Sequence, residues 1–466
     1  MITTLANEAP SYYAFGTMLG ERACDNLVSP ELAYVAIRHA RNTSQYNLVD
    51  GLASVYSDNS FMKPWSFPTR TSKETRLNAK AILSSIETAI DSSPPDWIRM
   101  ELLLYLLALP HDKESDLEKA IEAAERFLIS RKIQNEAIYR AYLHQAKAVR
   151  FLRQDPNAAL GEWNLAIQCS KKADNMPHTI DLLSRLGNRM KETDADIAIK
   201  LLNEACIIAD ELDIMPLETF NILGLVAATS GQYDMALEAF LKAVGEQQKR
   251  GNPIYELAVN VANVCNNLGN HEEALEWARK AEGNIHAQVQ LARALIALNR
   301  LDEALVELDS ARERTLSVGW GGTLPFVDFG FGLYEFATGE YRNALETLHQ
   351  AKKGWEDYNV NLHLGSCLVA LARVELAIAE NEGLERHVNT AGFWLEALAQ
   401  YARERKYLGL LVEYLKLKAE TRVLQGRLDD ALDLLQQAST LSNRPSMRTQ
   451  QKHIQECISE LEHAQQ

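Results

Sequence analysis

Four asparagines fall on one short stretch, Asn260, Asn263, Asn266 and Asn267, at spacings of three and four residues. On a helix that spacing gathers carboxamides toward a common face. A carboxamide donates and accepts hydrogen bonds at once, so such a strip suits the backbone of an extended peptide. Asparagine is also a poor helix former, and a bound ligand would offset the helical stability the run gives up. The competing interpretation is a solvated polar surface with no specific ligand.

A second cluster is basic. Between Arg126 and Lys191 there are twelve Lys or Arg and five Asp or Glu. Arg140, Lys147 and Arg150 lie at spacings of seven and three, on one helical face. Two readings stay open: a patch for an acidic partner segment, or balance inside the molecule against the acidic stretch from Asp112 to Glu125. Aromatic residues that stack on bases are not interleaved there, which makes a nucleic-acid surface the weaker functional option.

Little else in the 466 residues points to chemistry of its own. There is no phosphate loop of the GxxxxGK type, no nucleophile elbow and no HExxH, so no catalytic residue, metal site or cofactor is expected. The one glycine-dense segment, Ser317 to Thr323, has no lysine after it and reads as a turn. Six cysteines are scattered singly, without a CxxC, as expected for buried thiols in a reducing compartment. The net charge of −15 repels nucleic acid and anionic membrane. The first twenty residues hold no Lys or Arg, unlike a secretory or organelle leader. The longest apolar run, Leu102 to Leu109, is far below the ~20 residues a spanning helix needs. A cytoplasmic protein is expected.

The elements that must position the asparagines are helices. Apolar residues at i, i+3, i+4 and i+7 fill nearly every window from Lys73 onward. A pattern recurs with them: a turn residue, a large side chain two later, Ala-Leu or Ala-Ile, an apolar residue four after that alanine, and a small one three further on. The clearest copy is Gly231, Tyr233, Ala236, Leu237, Phe240 and Ala243. Others are Gly269 to Ala281, Leu301 to Ala311, Gly339 to Ala351 and Gly426 to Ala438, with weaker copies around Ala120, Ala159 and Ala198. The central alanines fall at 120, 159, 198, 236, 274, 304, 344 and 431, a period near 39 with one unit hidden in the last gap. That is the mark of stacked helical hairpins, none able to bury its apolar face alone. Small residues let helices approach, and the glycine ends the first helix of each pair.

These repeats resemble tetratricopeptide repeats. The best copy opens with Phe220, Leu223 and Gly224 and continues with the Ala-x-x-x-Phe of Ala236 to Phe240. The units are about five residues longer than the usual ~34 and mostly lack the closing proline, a longer form similar to the repeats of MalT-type and Rap-type proteins. The resemblance implies an all-α, right-handed superhelical α-solenoid of antiparallel helix pairs, about eight or nine of them, over residues 96–466. Residues 1–95 do not join the period and are expected to form an N-terminal helical cap or small bundle, with an aromatic connector from Phe61 to Pro68.

The resemblance also implies a concave groove lined by the first helix of each pair. It places Asn221, Asn263, Asn266, Asn267 and Arg293 there. A neighbouring helix carries Phe326, Phe329, Phe331, Tyr334 and Phe336; most must be core, with Phe329 and Phe336 the candidates for an apolar wall. The function this implies is a non-enzymatic scaffold or adaptor that binds a peptide segment or partner protein in the groove. Alternatives are a ligand-gated regulator acting through a partner, and an accessory subunit of an enzyme or nucleic-acid-processing complex. Oligomeric state is left open, and nucleic acid is unlikely as a partner except through a complex.

Overall fold

The computed structural model describes residues 114–130, 136–151, 154–249, 251–281, 283–319, 321–358, 363–383 and 385–465. They contain 18 α-helices and no strand: an α-solenoid. The expected cap at residues 1–95 and the Phe61 to Pro68 connector lie outside the described residues. The chain divides into two compact units, one ending at Leu183 and the other running from Ser184 to Gln466.

In the first unit, α1 (Glu114–Ser130), α2 (Glu136–Phe151) and α3 (Pro156–Lys172) precede α4 (Met176–Met190), which runs across the division. The second unit continues with α5 (Ala195–Glu211), α6 (Leu217–Thr229), α7 (Tyr233–Lys249), α8 (Tyr255–Leu268), α9 (His271–Arg279), α10 (Ile285–Ala297) and α11 (Leu301–Val318). It ends with α12 (Leu324–Ala337), α13 (Tyr341–Asp357), α14 (Leu364–Glu382), α15 (Glu385–Arg405), α16 (Leu408–Leu424), α17 (Leu428–Ser442) and α18 (Arg448–Gln465). Of the glycine-dense segment, Ser317 and Val318 end α11, Gly319 caps it in the left-handed region, and a short 3-10 turn covers Gly321–Thr323 ahead of α12.

The repeat pattern is a packing pattern. Ala236, Ala243, Ala274, Ala304, Ala311, Ala344, Ala351, Ala431 and Ala438 are all fully buried, as close helix approach requires. Gly224 and Phe240 explain each other: a Cβ on Gly224 would stand 2.5 Å from Cε1 of Phe240, so the glycine of α6 is the seat for the ring of α7. The same exchange joins α12 to α13, where a Cβ on Gly332 would meet Leu348 at 2.7 Å. Four turns place a residue other than glycine in the left-handed region, Asp174, Asp213, Asn299 and Lys406; between α10 and α11 it is Asn299, φ 57°, a residue type that tolerates this conformation through its short polar side chain.

The second unit closes on itself. The turn between α6 and α7 meets the turn between α15 and α16, where the Gly409 N–H donates to the Ser230 carbonyl at 2.7 Å. A Cβ on Gly409 would lie 2.4 Å from the Gly231 carbonyl oxygen, so only glycine admits this approach. Around it the Tyr407 hydroxyl donates to the Lys191 carbonyl at 2.9 Å, and Lys406 pairs with Asp194. The Thr449 N–H and hydroxyl donate to the two Asp234 carboxylate oxygens at 3.0 and 2.8 Å, across 215 residues of sequence. Beneath this clasp, Ile199, Leu202, Leu223 and Ala239 share one apolar core with Leu395, Tyr407, Leu410 and Met447. A solenoid that touches only its neighbours makes no such contact; here elements distant in the array meet.

Candidate functional site

The asparagine run lies on α8 and divides between two faces. Asn266 is buried: its Nδ2 donates to the Gln290 carbonyl at 2.9 Å and to Gln290 Oε1 at 3.2 Å. It ties α8 to α10 and offers nothing to a groove, contrary to its expected place there. Asn260, Asn263 and Asn267 are half-buried on the other face. Asn260 Nδ2 donates to Asn221 Oδ1 of α6 at 3.5 Å, and Asn267 Nδ2 donates to the Asn263 carbonyl at 2.8 Å.

Arg293 completes this strip from α10. Its Nη1 donates to Asn263 Oδ1 at 2.8 Å and to Gln290 Oε1 at 2.9 Å, and its Nη2 donates to Asn267 Oδ1 at 3.3 Å. Two polar groups thus share α8: the Asn221–Asn260 pair with α6, and the set of Asn263, Asn267, Gln290 and Arg293 with α10, in which the guanidinium is the formal charge. Each asparagine costs up to about 0.7 kcal/mol of helix propensity relative to alanine. A buried hydrogen bond returns about 1 kcal/mol, so Asn266 recovers its cost within the fold. The half-buried Asn260, Asn263 and Asn267 recover less.

The two phenylalanines part company. Phe329 is 5% exposed and packs on Trp355 with ring centres 5.6 Å apart. It belongs to the core rather than to an exposed wall, because α12 is covered on two sides by α10, α11 and α13. Its ring still underlies the network, with Arg293 Cζ 6.0 Å from its centre. Phe336 is half-buried against Tyr341, 5.9 Å between ring centres.

Closure brings together residues that the periodicity does not relate to one another. Tyr233, the large residue after the turn glycine, has its hydroxyl pushed up to about 12, by burial first and by Glu413 second, against the opposing pull of Arg293 and Arg373. Those groups come from α7, α16, α10 and α14. Arg373 pairs with Glu413 at 2.5 Å. Burial would raise the Glu413 carboxyl, but Lys416 and Arg373 hold it down at about 2. His363 is pushed down to about 4 by burial and by the positive charge of His286 and Arg293, and its ring lies 5.3 Å from those of Phe326 and Trp355. His271 is lowered by burial and then by Arg293. The sequence signal for this set was slight, since a repeat pattern reports neighbours along the chain and not the clasp.

The basic cluster is a different case. On α2, Arg140 bonds Glu136 at 2.6 Å, Lys147 pairs with Glu125, and Arg150 pairs with Glu118 at 2.5 Å. Glu118 and Glu125 belong to α1, within the acidic stretch whose balancing role was the alternative. Each cation thus has its own carboxylate, which weakens the reading as a patch for an acidic partner. Among the described residues no group of three or more His, Cys, Asp or Glu is placed to hold a metal ion. Burial pushes the Cys265 and Cys367 thiols up to about 12. No described helix is long and apolar enough to cross a membrane.

Stacked helix pairs without strands among the described residues define the class of helical-repeat proteins. The repeats themselves narrow the class: residues 221–285 and 285–310 match models of the tetratricopeptide repeat, and the repeats of the chain are tetratricopeptide-like. No curated relative matches it in sequence. Among solved structures, a Rap protein complexed with Competence and Sporulation Factor is similar over 83% of this chain and 98% of its own, at 12% identity and a TM-score of 0.40. Yeast Tom70 is similar over 100% of this chain and 96% of its own, at 13% identity and a TM-score of 0.38. A tetratricopeptide repeat protein from Parabacteroides merdae covers 57% of this chain and 92% of its own, at 14% identity and a TM-score of 0.35. A general role as a protein-interaction scaffold goes with the repeat class.

Proposed function

We infer that the chain is a non-enzymatic scaffold or adaptor that takes an extended peptide segment of a partner protein into the interior of its second unit, along Asn221, Asn260, Asn263, Asn267 and Arg293. The observation that carries this is the arrangement of half-buried carboxamides on adjacent helices, bonded to one another yet keeping capacity. Asn221 retains both N–H donors of its side chain, and Asn260 retains its Oδ1 and one N–H. A peptide backbone presents alternating N–H and C=O groups, and side-chain amides match both. Half-burial of these side chains raises the value of such bonds over that of fully exposed ones.

The test is selection of a random peptide library on the intact protein, followed by affinities of enriched peptides for wild type and for Asn263→Ala with Asn267→Ala. The double variant is expected to lose tenfold or more in affinity while its melting temperature stays within a few degrees of wild type. Enriched peptides that bind the double variant as tightly as wild type would sink the reading.

The clasp supports a second reading, a ligand-gated regulator that acts through a partner. The two turns that meet at Gly409 are held by one backbone hydrogen bond and a few side chains, so a ligand bridging several units has a discrete contact to bias. Under this reading an enriched peptide changes hydrogen exchange at Gly409 and Thr449; under the plain adaptor reading it does not.

A further inference from the structure

Away from the asparagine strip, the pair α14 and α15 holds a charge that the fold does not answer. Glu375 of α14 is 5% exposed, and a buried carboxylate is costly unless a cation or several hydrogen bonds compensate it. Its one bond comes from His387 of α15, whose Nδ1–H donates to Oε2 at 2.5 Å. Arg386 Nε donates to the other ring nitrogen of His387, Nε2, at 3.2 Å. A ring nitrogen that accepts carries no proton, so the imidazole orients the carboxylate without neutralising it. No Lys or Arg among the described residues pairs with Glu375: Arg386 stops at the imidazole, and Lys352 of α13 is bonded to Glu356 at 2.6 Å. Oε1 of Glu375 has no hydrogen bond among the described residues, and it is not sealed from solvent.

A set of rings leads to this carboxylate. Trp394 lies seven residues beyond His387 on α15, two turns on and therefore on the same face. His349 of α13 rests against it with ring centres 5.2 Å apart, and Phe393 meets it edge-on at 4.9 Å. Phe393 is 64% exposed, the only exposed Phe or Trp among the described residues. Burial and then Lys352 hold His349 below its ordinary value, against the pull of Glu375, so it adds a neutral ring at neutral pH.

An aromatic surface that ends at an unanswered carboxylate complements a long cationic side chain. Lys and Arg lay their apolar stems along apolar surface and keep the charged head at the polar end, and a cation beside an aromatic ring gains further attraction. Seven helical residues span about 10 Å, which a stem covers and a small ion does not. Among the described residues no three His, Cys, Asp or Glu are grouped to hold a metal ion. A neutral side chain would leave Glu375 as it is.

We propose that His349, Phe393, Trp394 and Glu375 form a receptor for a Lys or Arg side chain of a partner protein, with the stem across the rings and the head at Glu375 Oε1. His387 is a positioning residue that holds the carboxylate from behind. The receptor uses none of the residues of the asparagine strip, so it is a second contact surface of the scaffold and stands whether or not the strip takes a peptide.

The test uses the intact chain with isotope-labelled tryptophan indoles and, as probes, the capped tripeptides Gly-Arg-Gly, Gly-Lys-Gly and Gly-citrulline-Gly. Citrulline keeps the shape of arginine without its charge. Trp394→Phe assigns the Trp394 signal. The expected result is a saturable shift of that signal with the arginine or lysine probe, at a dissociation constant of about 1–10 mM for a single side chain, and at least tenfold weaker binding of the citrulline probe. Phe393→Ala, at an exposed position, is expected to weaken the charged probes threefold or more and Glu375→Gln tenfold, while Asn263→Ala with Asn267→Ala changes nothing. The stronger of the two cations identifies the side chain the partner supplies. Citrulline binding as tightly as arginine, or no saturable shift with either cation, would overturn the proposal. Both of those outcomes are read on wild-type protein, so poor folding of Glu375→Gln does not obscure them.

Discussion

Two regions of this molecule hold arginines and lysines in close array, and they hold them in opposite ways. On α2, Arg140, Lys147 and Arg150 each face a glutamate. On α10, Arg293 faces three amide oxygens and no carboxylate. Charge density along the sequence points to the first region, and charge compensation in the structure points to the second. A cation becomes a recognition element when the fold orients it and leaves its charge unanswered, and a local excess of Lys and Arg does not measure that.

The difference depends on the clasp, because closure of the second unit sets Arg293 in one field with Tyr233, Arg373 and Glu413. The largest expected effect therefore comes from opening it. In Gly409→Val the added carbon would overlap the Gly231 carbonyl, where even a Cβ stands at 2.4 Å, and the Gly409 to Ser230 hydrogen bond cannot survive. The amides of Gly409 and Thr449, which donate across the clasp, are expected to lose protection tenfold or more in hydrogen exchange. Amides within α2 should not change. Unaltered exchange at Gly409 and Thr449 would mean that the two turns are not held as described.

How far the sequence carried the reading follows from the same contrast. The helix pairs, the seating of Phe240 on Gly224 and the buried alanines were legible, because all of them are contacts between elements adjacent in the chain and repeat with its period. Asn263, Asn267 and Arg293 were legible as candidates because the repeat register assigns an inner face to the first helix of each pair. Asn266 was misassigned to that face for want of a partner: only the structure shows Gln290 waiting on α10. Phe329 went the same way, since the sequence does not say which rings meet Trp355. Tyr233 was legible only as the large residue of its repeat, and Arg373, Glu413 and His363 were out of reach. What brings them together is a contact between two ordinary-looking turns far apart in the chain, at Ser230 and Gly409.

A smaller effect probes the uncompensated charge itself. His363 sits at about 4 when folded, through burial and the nearby positive charge, against about 6.5 in an unfolded chain. Between those values the unfolded state binds the extra proton, so stability rises with pH there; it is fully present above about 6.5 and is lost as pH falls through about 4. Glu413, held at about 2 when folded, adds a second loss at lower pH, from about 4.3 down toward 2. His363→Gln is expected to flatten the upper step and leave the lower one. Arg293→Gln should move the His363 titration, followed by NMR, upward toward its ordinary value. A His363 titration that does not move would show that the Arg293 charge is already compensated.

The smallest effect lies in the other region, where compensation is already complete. Lys147 and Glu125 retain 21% and 38% of their side-chain surface, so water screens the pair and holding two long side chains together costs entropy. A double-mutant cycle with Lys147→Met and Glu125→Gln is expected to give a coupling of about 0.2–1 kcal/mol in urea unfolding. The same cycle measured as peptide affinity should give no coupling, because a cation bonded to its own glutamate has little left for a ligand. Coupling in affinity would erase the distinction between the two regions. Its absence, beside a measurable coupling in stability, would place the α2 pairs in the fold and leave recognition to the arginine bonded only by amides.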